Sequence, residues 1–328
     1  MQYTFENIEQ IFKQPVFELI EKAYSIQKTN FKTDIELCHL VSVKTGGCPE
    51  DCGYCSQSNK YETELKLNAL LPIEEVERQA ILAKQSGVKR VCLGGAYKSP
   101  PSGAINKASE YIKVIKKHGL ETCITFGSLN QQQAQQLKDA GLDYYNHNID
   151  TSPEYYNKVV TTRTFQDRID TIDNVGKAGL KVCCGGILGL GESQADRINF
   201  IKALTTLPYV PDSIPVNLLV KIKGTPLENV EELDKFELIR TIATIRILFP
   251  LTRIRLSAGR TELTELEQSM CFMSGANSIF FGEKLLTTPN NSQNSDLSLL
   301  QKLGITPNNL YTQIDANSIK DNKVSKSV

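Results

Sequence analysis

Residues 121–149 read ETCITFGSLNQQQAQQLKDAGLDYYNHNI and contain one complete strand–helix–strand pattern. A short apolar run at 121–126 is followed by an amphipathic segment at about 130–140, and a second apolar run occupies 143–149. Neither apolar run shows the clean alternation of a sheet with one wet face, which is typical of buried parallel strands. This stretch therefore predicts a β–α–β unit whose parallel strands are covered by helices.

The same alternation extends over most of the chain. Strands are predicted at 37–43, 90–94, 121–126, 143–149, 181–188, 213–222, 253–257 and 276–281. Helices are predicted at about 72–87, 105–118, 130–140, 165–178, 193–206, 233–248, 262–273 and 294–303. Strands that are each followed by a helix, without a break in composition, favour one α/β (β/α)8 TIM-type barrel over two domains. A doubly wound open sheet is the alternative, because periodicity alone does not exclude it.

The barrel is predicted to occupy residues 32–305, between a helical N-terminal extension at 1–31 and a polar, partly disordered tail at 306–328. The 37 basic residues balance the 37 acidic residues, which argues against a dedicated nucleic-acid-binding protein. No apolar run is long enough for a membrane helix, and the start of the chain shows no secretory or transit signal. We therefore expect a cytoplasmic protein without a membrane or nucleic-acid partner.

Nine cysteines and only three histidines point to thiol chemistry in a reducing compartment. Cys48, Cys52 and Cys55 follow the first predicted strand at the spacing C-x3-C-x2-C. Three thiolates at this spacing can converge on a [4Fe–4S] cluster and leave one iron open to a small molecule. The alternatives are a zinc loop with a distant fourth ligand, or thiols that only pack.

Three further cysteines, Cys92, Cys123 and Cys183, each stand third in a predicted strand. Arg255 has the same place in the seventh strand, so all four side chains are expected to meet inside the barrel. Taken singly, a strand cysteine is most often a small buried hydrophobe. However, a buried arginine at matching depth requires a charged partner or a metal-bound anion. The set therefore suggests a second, anionic iron–sulfur cluster.

The triplet resembles the radical S-adenosylmethionine (SAM) superfamily, in which the open iron chelates SAM and reductive cleavage yields a 5′-deoxyadenosyl radical. Longer segments resemble the biotin synthase family over roughly residues 35–305, among them KTGGCPEDCGYCSQ, ETCITFGSLN, GLDYYNHNIDTSPE, KVCCGGILGLGE and VNLLVKIKGTPL. The resemblance implies a sulfurtransferase-type enzyme that inserts sulfur between C6 and C9 of dethiobiotin. It also implies a [4Fe–4S] cluster, SAM and a sulfur-donating [2Fe–2S] cluster bound by Cys92, Cys123, Cys183 and Arg255.

The resemblance also implies substrate and SAM contacts on the fourth strand. Asn146, Asn148 and Asp150 alternate along the chain and so share one face. By resemblance, Asn148 and Asp150 hold the SAM ribose, while Asn146 faces the ureido ring of dethiobiotin. The alternative is a polar strand end capped by a turn. Asn217 is a second buried amide, for which the ureido group or a neighbouring backbone is a suitable partner.

Four more SAM contacts follow from the resemblance alone. Tyr54 is expected beside the adenine, Gly189 on the adenine side and Gly94 at the amino group. Arg168 is expected at the SAM carboxylate, although a surface position on a helix explains it nearly as well. No side chain is predicted to act as a catalytic acid or base, because an unactivated C–H bond offers no acidic proton.

The implied partners are dethiobiotin, an electron donor such as flavodoxin or ferredoxin, the iron–sulfur assembly machinery and a second copy of the chain in a homodimer. Cys38, Cys184 and Cys271 are left over and are expected to pack. Two other functions remain open from the residues alone. One is a radical SAM enzyme acting on an amino-acid-derived substrate, and the other is a non-enzymatic iron–sulfur protein.

Overall fold

A computed structural model describes residues 3–305 and 307 of the chain. The predicted tail at 306–328 therefore lies, apart from residue 307, outside the described residues. In the described part, nine strands form one sheet: β1 (Glu36–Lys44), β2 (Arg90–Gly95), β3 (Glu121–Thr125), β4 (Tyr144–Asn146), β5 (Lys181–Cys183), β6 (Gly186–Leu188), β7 (Ser213–Leu218), β8 (Arg253–Leu256) and β9 (Ser278–Phe280).

All strand pairs in this sheet are parallel, and the sheet closes on itself. The strand order is β5-β4-β3-β2-β1-β9-β8-β7-β6, and β7 also pairs with β5. Strands β5 and β6 are the two halves of the fifth barrel strand, so the barrel has eight positions. The predicted (β/α)8 barrel is confirmed, and the open doubly wound sheet is wrong because no edge remains between β5 and β7.

Helices cover the outside of the barrel and extend it at the N-terminus. They are α1 (Phe5–Phe12), α2 (Val16–Phe31), α3 (Ile73–Gln85), α4 (Ser102–Lys117), α5 (Gln131–Asp139), α6 (Pro153–Tyr156), α7 (Phe165–Lys177), α8 (Gln194–Thr205), α9 (Lys235–Leu248), α10 (Glu265–Met273) and α11 (Gln293–Lys302). The predicted N-terminal extension is α1 and α2, and α2 packs against α9. The guanidinium of Arg240 on α9 donates to the Phe12 and Gln14 carbonyls at 2.9 and 2.7 Å, which ties the extension to the barrel.

The side chains of the barrel strands divide into an outer and an inner set. Outward residues such as Val91, Ile124 and Val182 belong to the apolar core between strands and helices. Burying this apolar surface is the main driving force for closing the barrel. The inward residues include cysteines and charged groups, which form a separate buried cluster. Alternation along each strand therefore places the thiols inside the barrel.

The fifth barrel strand is interrupted at Cys184 and Gly185, where the sequence predicted a continuous strand. At Gly185 the backbone passes so close to β7 that a Cβ atom would overlap the carbonyl oxygen of Pro215. The amide of Gly185 donates to Asn148 Oδ1 at 3.1 Å instead of continuing the ladder. The interruption thus turns a backbone N–H towards a residue that is predicted to bind SAM.

Replacing Gly185 with alanine should lower the free energy of unfolding of the apoprotein by about 1–3 kcal/mol, the usual cost of overpacking. The matched control is Gly103→Ala in α4, where an added Cβ meets no atom within 4 Å. Chemical denaturation of both variants measures the difference. Equal stability of the two variants would show that strand β7 shifts to make room for the added methyl group without loss of stability.

Candidate active site

A cavity of about 270 Å³ opens within the barrel towards the carboxyl ends of its strands. Catalytic residues of (β/α)8 barrels come from this end of the strands. Nine of the residues predicted from the sequence line the cavity: Tyr54, Cys55, Cys92, Cys123, Asn146, Asn148, Asp150, Asn217 and Arg255. The fold therefore brings the loop thiols, the strand thiols and the polar strand residues to one space.

The loop that carries Cys48, Cys52 and Cys55 folds back on itself. Cys48 receives a backbone hydrogen bond from Asn59 at 2.8 Å and donates one to Gln57 at 2.9 Å. The amide of Cys55 donates to the Cys52 carbonyl at 2.9 Å. These bonds form a compact turn that holds the three thiols on one loop.

A segment that follows α6 clamps this loop from the other side. The amides of Thr161 and Thr162 donate to Asp51 Oδ1 at 2.9 and 3.1 Å. The amide of Gly53 donates to the Val159 carbonyl at 2.8 Å. The loop position is therefore determined by contacts with a part of the chain about a hundred residues away.

The donor set of the loop fits an iron–sulfur cluster. All three thiols are free, and neighbouring backbone N–H groups act to lower the pKa of Cys48 and Cys55 against the effect of burial. Hydrogen bonds to the sulfurs are a standard means of tuning a cluster. Burial raises the pKa of Cys55 to about 11, so the thiolate form depends on the metal.

The predicted zinc alternative finds no support in residues 3–305 and 307. No group of three or more His, Cys, Asp or Glu side chains there is gathered closely enough to hold a single metal ion. In a [4Fe–4S] cube each cysteine binds a different iron, so its thiols need not converge on one point. The described part of the chain therefore offers no preformed site for one zinc ion.

The strand thiols form a continuous buried group. Cys92 and Cys123 are direct partners in the register of β2 and β3. Cys92, Cys123 and Cys183 belong to one buried cluster inside the barrel. The neighbouring Cys123 thiol and the charges of Arg255 and Arg90 lower the pKa of Cys183 to about 6, against the effect of burial. The neighbouring thiols of Cys183 and Cys92 instead raise the pKa of Cys123 well above its ordinary value. Three buried thiols gathered in this way are the ligand type of an iron–sulfur cluster.

Arg255 lies beside these thiols, and one nitrogen of its guanidinium is available to bind a ligand. Its Nε donates to Ser278 Oγ at 3.1 Å, and its Nη2 lies 3.1 Å from Cys38 Sγ and 3.4 Å from Glu36 Oε1. Nη1 has no hydrogen-bond partner among the described residues, and Arg255 lines the cavity. An unpartnered nitrogen of a buried arginine next to three thiols fits the predicted ligand set.

Sequence reasoning missed the buried charges beneath these thiols. Glu36 lies between two arginines, 3.0 Å from Arg90 Nη2 and 3.4 Å from Arg255 Nη2. The guanidinium of Arg90 also stacks on the ring of Tyr144, 3.5 Å from its centroid. Cys92, Cys123 and Cys183 each follow a charged residue and one spacer, and Glu36-Leu-Cys38 repeats this pattern in β1.

The three cysteines that were expected to pack have different surroundings. Cys184 and Cys271 belong to the outer core between strands and helices, as expected. Cys183, the neighbour of Cys184, points inward, which agrees with the choice of Cys183 as the predicted ligand. Cys38 is fully buried but lies in the inner group with Cys92. We call Cys38, Cys92, Cys123 and Cys183 the inner thiol group.

Asp150 lies on the wall of the cavity, and two side chains hold its carboxylate in place. Its Oδ2 accepts from Arg168 Nη2 at 2.6 Å and from the Tyr54 hydroxyl at 3.0 Å. Its backbone has a φ of 65°, a conformation that is uncommon for a residue other than glycine and is concentrated at functional sites. Oδ1 has no hydrogen-bond partner among the described residues and is available to a ligand.

Arg168 does not occupy a surface position, so that alternative is wrong. The residue is buried, and its guanidinium donates to the Tyr156 hydroxyl at 2.8 Å, the Asn148 carbonyl at 3.1 Å and Asp150. It does not line the main cavity. Arg168 therefore positions the Asn148–Asp150 segment, and its predicted contact with the SAM carboxylate stays a prediction.

The three amides are fixed by neighbouring groups. Asn146 Nδ2 lies 3.0 Å from Asn148 Oδ1 and 3.3 Å from Cys183 Sγ, so this residue links the cavity wall to the inner thiol group. Asn217 bonds to backbone at both ends, to the Gly186 carbonyl at 2.9 Å and the Ala258 amide at 3.1 Å. The backbone partner considered for Asn217 is thus present, and its contact with substrate stays a prediction.

The two predicted glycine contacts lie at strand ends beside the main cavity. At Gly94 a Cβ atom would overlap the side chain of Leu286. The amide of Gly189 donates to Glu192 Oε1 at 3.0 Å, and Gly189 lines a second cavity of about 290 Å³. This second cavity shares Leu218 and Leu219 with the main one.

Two family models match the chain. The Radical SAM superfamily matches residues 42–204, and the Biotin and Thiamin Synthesis associated domain matches residues 215–306. The first range contains both cysteine sets, and the second contains Arg255. The two matches together cover most of the closed barrel, from within β1 to the end of α11.

Curated relatives match nearly the full chain. A biotin synthase from Coxiella burnetii (strain Dugway 5J108-111) is 55% identical over 91% of this chain and 94% of the relative. The biotin synthase from Pseudoalteromonas translucida is 51% identical over 95% and 91%, and that from Legionella pneumophila (strain Corby) is 51% identical over 93% and 97%. This chain belongs to the biotin synthase family.

Two solved structures support the fold. Methylornithine synthase has a TM-score of 0.80 at 19% identity, covering 96% of this chain and 97% of that chain. The FeFe-hydrogenase maturase HydG from Carboxydothermus hydrogenoformans has a TM-score of 0.80 at 19% identity, covering 93% and 76%. At this identity the likeness concerns the fold alone.

Membership of the biotin synthase family confirms several predictions from the sequence. It confirms the enzyme class, a sulfurtransferase-type radical SAM enzyme of biotin biosynthesis, and the cofactors [4Fe–4S], SAM and [2Fe–2S]. A non-enzymatic iron–sulfur protein is thereby excluded. Among the described residues, none of the helices combines the length and apolar character needed to cross a membrane.

Proposed function

We propose that this chain inserts sulfur between C6 and C9 of dethiobiotin, with Cys48, Cys52 and Cys55 holding the [4Fe–4S] cluster and Cys92, Cys123, Cys183 and Arg255 holding the [2Fe–2S] cluster. The observation that supports the proposal most directly is that thiols from the cysteine loop and from the barrel strands line the same cavity. Cys55 lines it at the loop, and Cys92 and Cys123 line it inside the barrel. A substrate in this cavity lies between the two cluster sites.

When bound, the [4Fe–4S] cluster and SAM supply the radical that removes hydrogen from carbon, and the [2Fe–2S] cluster supplies sulfur. The chain binds and orients these groups. Asp150 Oδ1 and the Asn148 side chain face the cavity and hold the ribose hydroxyls. Tyr54, fixed by its bond to Asp150, packs against the adenine. Gly94 and Gly189 flank the SAM position.

The cavity lining supports a mechanism without acid–base catalysis. Asp150 is the one carboxylate among the lining residues, and no histidine or lysine is among them. Asp150 accepts from Arg168 and Tyr54, which hold it in place as a binding group. The nearby His147 points away from the cavity, and burial keeps its pKa well below the ordinary value. A radical reaction requires none of these groups to transfer a proton.

Replacing Arg255 with methionine should leave the SAM-cleaving cluster intact and change the absorption spectrum or reduction potential of the other cluster. The reason is that Arg255 contacts the inner thiol group and not the cysteine loop. The matched control is Arg253→Met, since Arg253 is the other arginine of β8 and pairs with Asp34. An Arg255→Met spectrum equal to that of the control would mean that Arg255 is not a ligand.

Replacing Asn146 with alanine should raise the dethiobiotin concentration needed for half-maximal SAM cleavage by about tenfold, which corresponds to about 1.4 kcal/mol of binding. Asn146 presents an amide to the cavity beside Cys183, where it is placed to bond the ureido ring. Formation of 5′-deoxyadenosine at increasing dethiobiotin concentrations measures the effect. The control is Asn174→Ala, whose amide bonds to Leu129 away from the cavity. SAM cleavage that does not depend on dethiobiotin would contradict the proposed substrate.

The remaining partners are proposed from the family. They are a flavodoxin or ferredoxin as electron donor, the iron–sulfur assembly machinery that rebuilds the sacrificed cluster, and a second copy of the chain in a homodimer. A cytoplasmic location agrees with free thiols at all nine cysteines. The catalytic unit is proposed to be the barrel at 32–305, preceded by the helical extension at 1–31.

A further inference from the structure

Cys38 is a buried thiol that no predicted function uses. It lies on β1, which pairs with β2 on one side and with β9 on the other. In this register Cys38 is paired with Arg90 on β2 and with Phe280 on β9. The side chain is fully buried and belongs to the inner thiol group, not to the outer apolar core.

The contacts of the Cys38 sulfur are those of a group at the edge of the cluster site. The thiol belongs to the same buried cluster as Cys92, and its Sγ lies 3.1 Å from Arg255 Nη2. Glu36 Oε1 is 3.4 Å away, and Ser278 Oγ is 4.0 Å away. Cys38 thus touches one proposed cysteine ligand and the proposed arginine ligand at once.

A cluster bound by four thiolates differs chemically from a cluster bound by three thiolates and an arginine. Fe–S clusters are ordinarily bound by four cysteine thiolates, and soft thiolates bind their irons well. A guanidinium keeps its proton in proteins and is therefore a weak donor to iron. Where a thiol and a guanidinium nitrogen lie side by side at one cluster, the two compete for the same iron.

The surrounding charges allow the side chain of either Cys38 or Arg255 to approach the cluster. Glu36 contacts both Arg90 and Arg255, so withdrawal of the Arg255 guanidinium towards Glu36 leaves its charge paired. Glu36 Oε1 also lies 3.4 Å from Cys38 Sγ, so the guanidinium and the thiol meet at the same carboxylate oxygen.

We propose that Cys38 is a fourth thiolate donor to the [2Fe–2S] cluster, which takes the coordination position of Arg255 when the guanidinium is withdrawn or removed. The inference rests on the proposed position of this cluster. It goes beyond the set of Cys92, Cys123, Cys183 and Arg255 because the chain then holds two alternative fourth ligands.

The test uses the full chain carrying Cys52→Ala, so that the inner cluster is the only one present. Into this background are placed Arg255→Met, Cys38→Ser and both together. Each protein is reconstituted without oxygen, and iron and sulfide are measured after desalting. The half-life of the cluster against an iron chelator is then recorded. The control pair is Cys184→Ser with and without Arg255→Met, because Cys184 is a buried thiol of the outer core.

We expect Arg255→Met to retain the cluster, and the double variant with Cys38→Ser to lose it about tenfold faster or more, since even outer-shell changes cost 10–100-fold in metal affinity. The control pair should behave like Arg255→Met. Equal half-lives of Arg255→Met with and without Cys38 would overturn the proposal. So would complete loss of the cluster in Arg255→Met alone while the apoprotein remains folded.

A second measurement covers the case in which the double variant does not fold. X-ray absorption of Arg255→Met in the Cys52→Ala background should show four sulfur neighbours for each iron, as all-cysteine ligation requires. A light-atom neighbour in place of the fourth sulfur would refute ligation by Cys38. Neither readout depends on biotin formation, so failure of the inference and failure of the proposed function can be told apart.

Discussion

Replacing Cys52 with alanine should abolish SAM cleavage, reduce biotin formation to the level without enzyme and remove one of two clusters. The iron content should fall by about four atoms per chain, because a cube held by three thiols loses one of them. The second cluster should remain, since its proposed ligands lie on β2, β3, β5 and β8 and not on the cysteine loop. Iron and sulfide analysis with absorption spectroscopy after anaerobic reconstitution measures both effects.

The control for this variant is Cys271→Ala, which removes a buried thiol from the outer core without touching either proposed site. Both clusters should be present in it. If Cys52→Ala instead lost all of its iron and sulfide while its apoprotein stayed folded, the two-site account would be wrong. A fully retained iron content would equally show that Cys52 is not a ligand.

Replacing Asp296 with alanine should lower the free energy of unfolding of the apoprotein by about 3–5 kcal/mol, the usual cost of leaving one partner of a buried ion pair alone. Asp296 on α11 pairs with Arg260, which follows β8, and both side chains are at most 1% exposed. Arg260 Nη1 also donates to the Phe280 carbonyl at 3.2 Å, so the pair links α11 to β9. Losing Asp296 leaves the guanidinium buried without its counter-ion.

A second ion pair that involves α11 provides the control. Lys302 on α11 lies 2.7 Å from Glu265 on α10, and these side chains are 58% and 52% exposed. Surface pairs contribute about 0–1 kcal/mol, so Lys302→Ala should change stability little. Denaturation curves of both variants give the comparison. Similar losses of stability in the two variants would mean that burial does not determine how much the Arg260–Asp296 pair contributes to stability.

The barrel was predictable from the sequence because its signals are local. Short apolar runs and amphipathic segments alternate along the chain, and α3 to α11 follow the strands nearly where the periodicity places them, apart from the one-turn α6. The inward direction of Cys92 and Cys123 likewise follows from position within a strand. The break between β5 and β6 was not predictable, because its cause is the close approach of Pro215 from a distant strand.

Site residues could be predicted where they form a motif with a characteristic spacing. They could not be predicted where their role depends on partners that are distant in the chain. The triplet Cys48, Cys52 and Cys55 is visible as a motif, whereas Arg168 looks like one more polar residue of an amphipathic helix. Its burial depends on Asp150, whose left-handed backbone no pattern indicates. Cys38 was missed although the pattern was present, because Cys38 was read as a single buried thiol.

The central claim is that this chain forms biotin from dethiobiotin. The direct measurement is incubation of the protein, reconstituted with both clusters, with dethiobiotin, SAM and a reductant under nitrogen, followed by mass spectrometry for biotin. Biotin should form in the complete reaction and not when SAM or the reductant is omitted. A protein that holds both clusters and cleaves SAM but forms no biotin would contradict the claim.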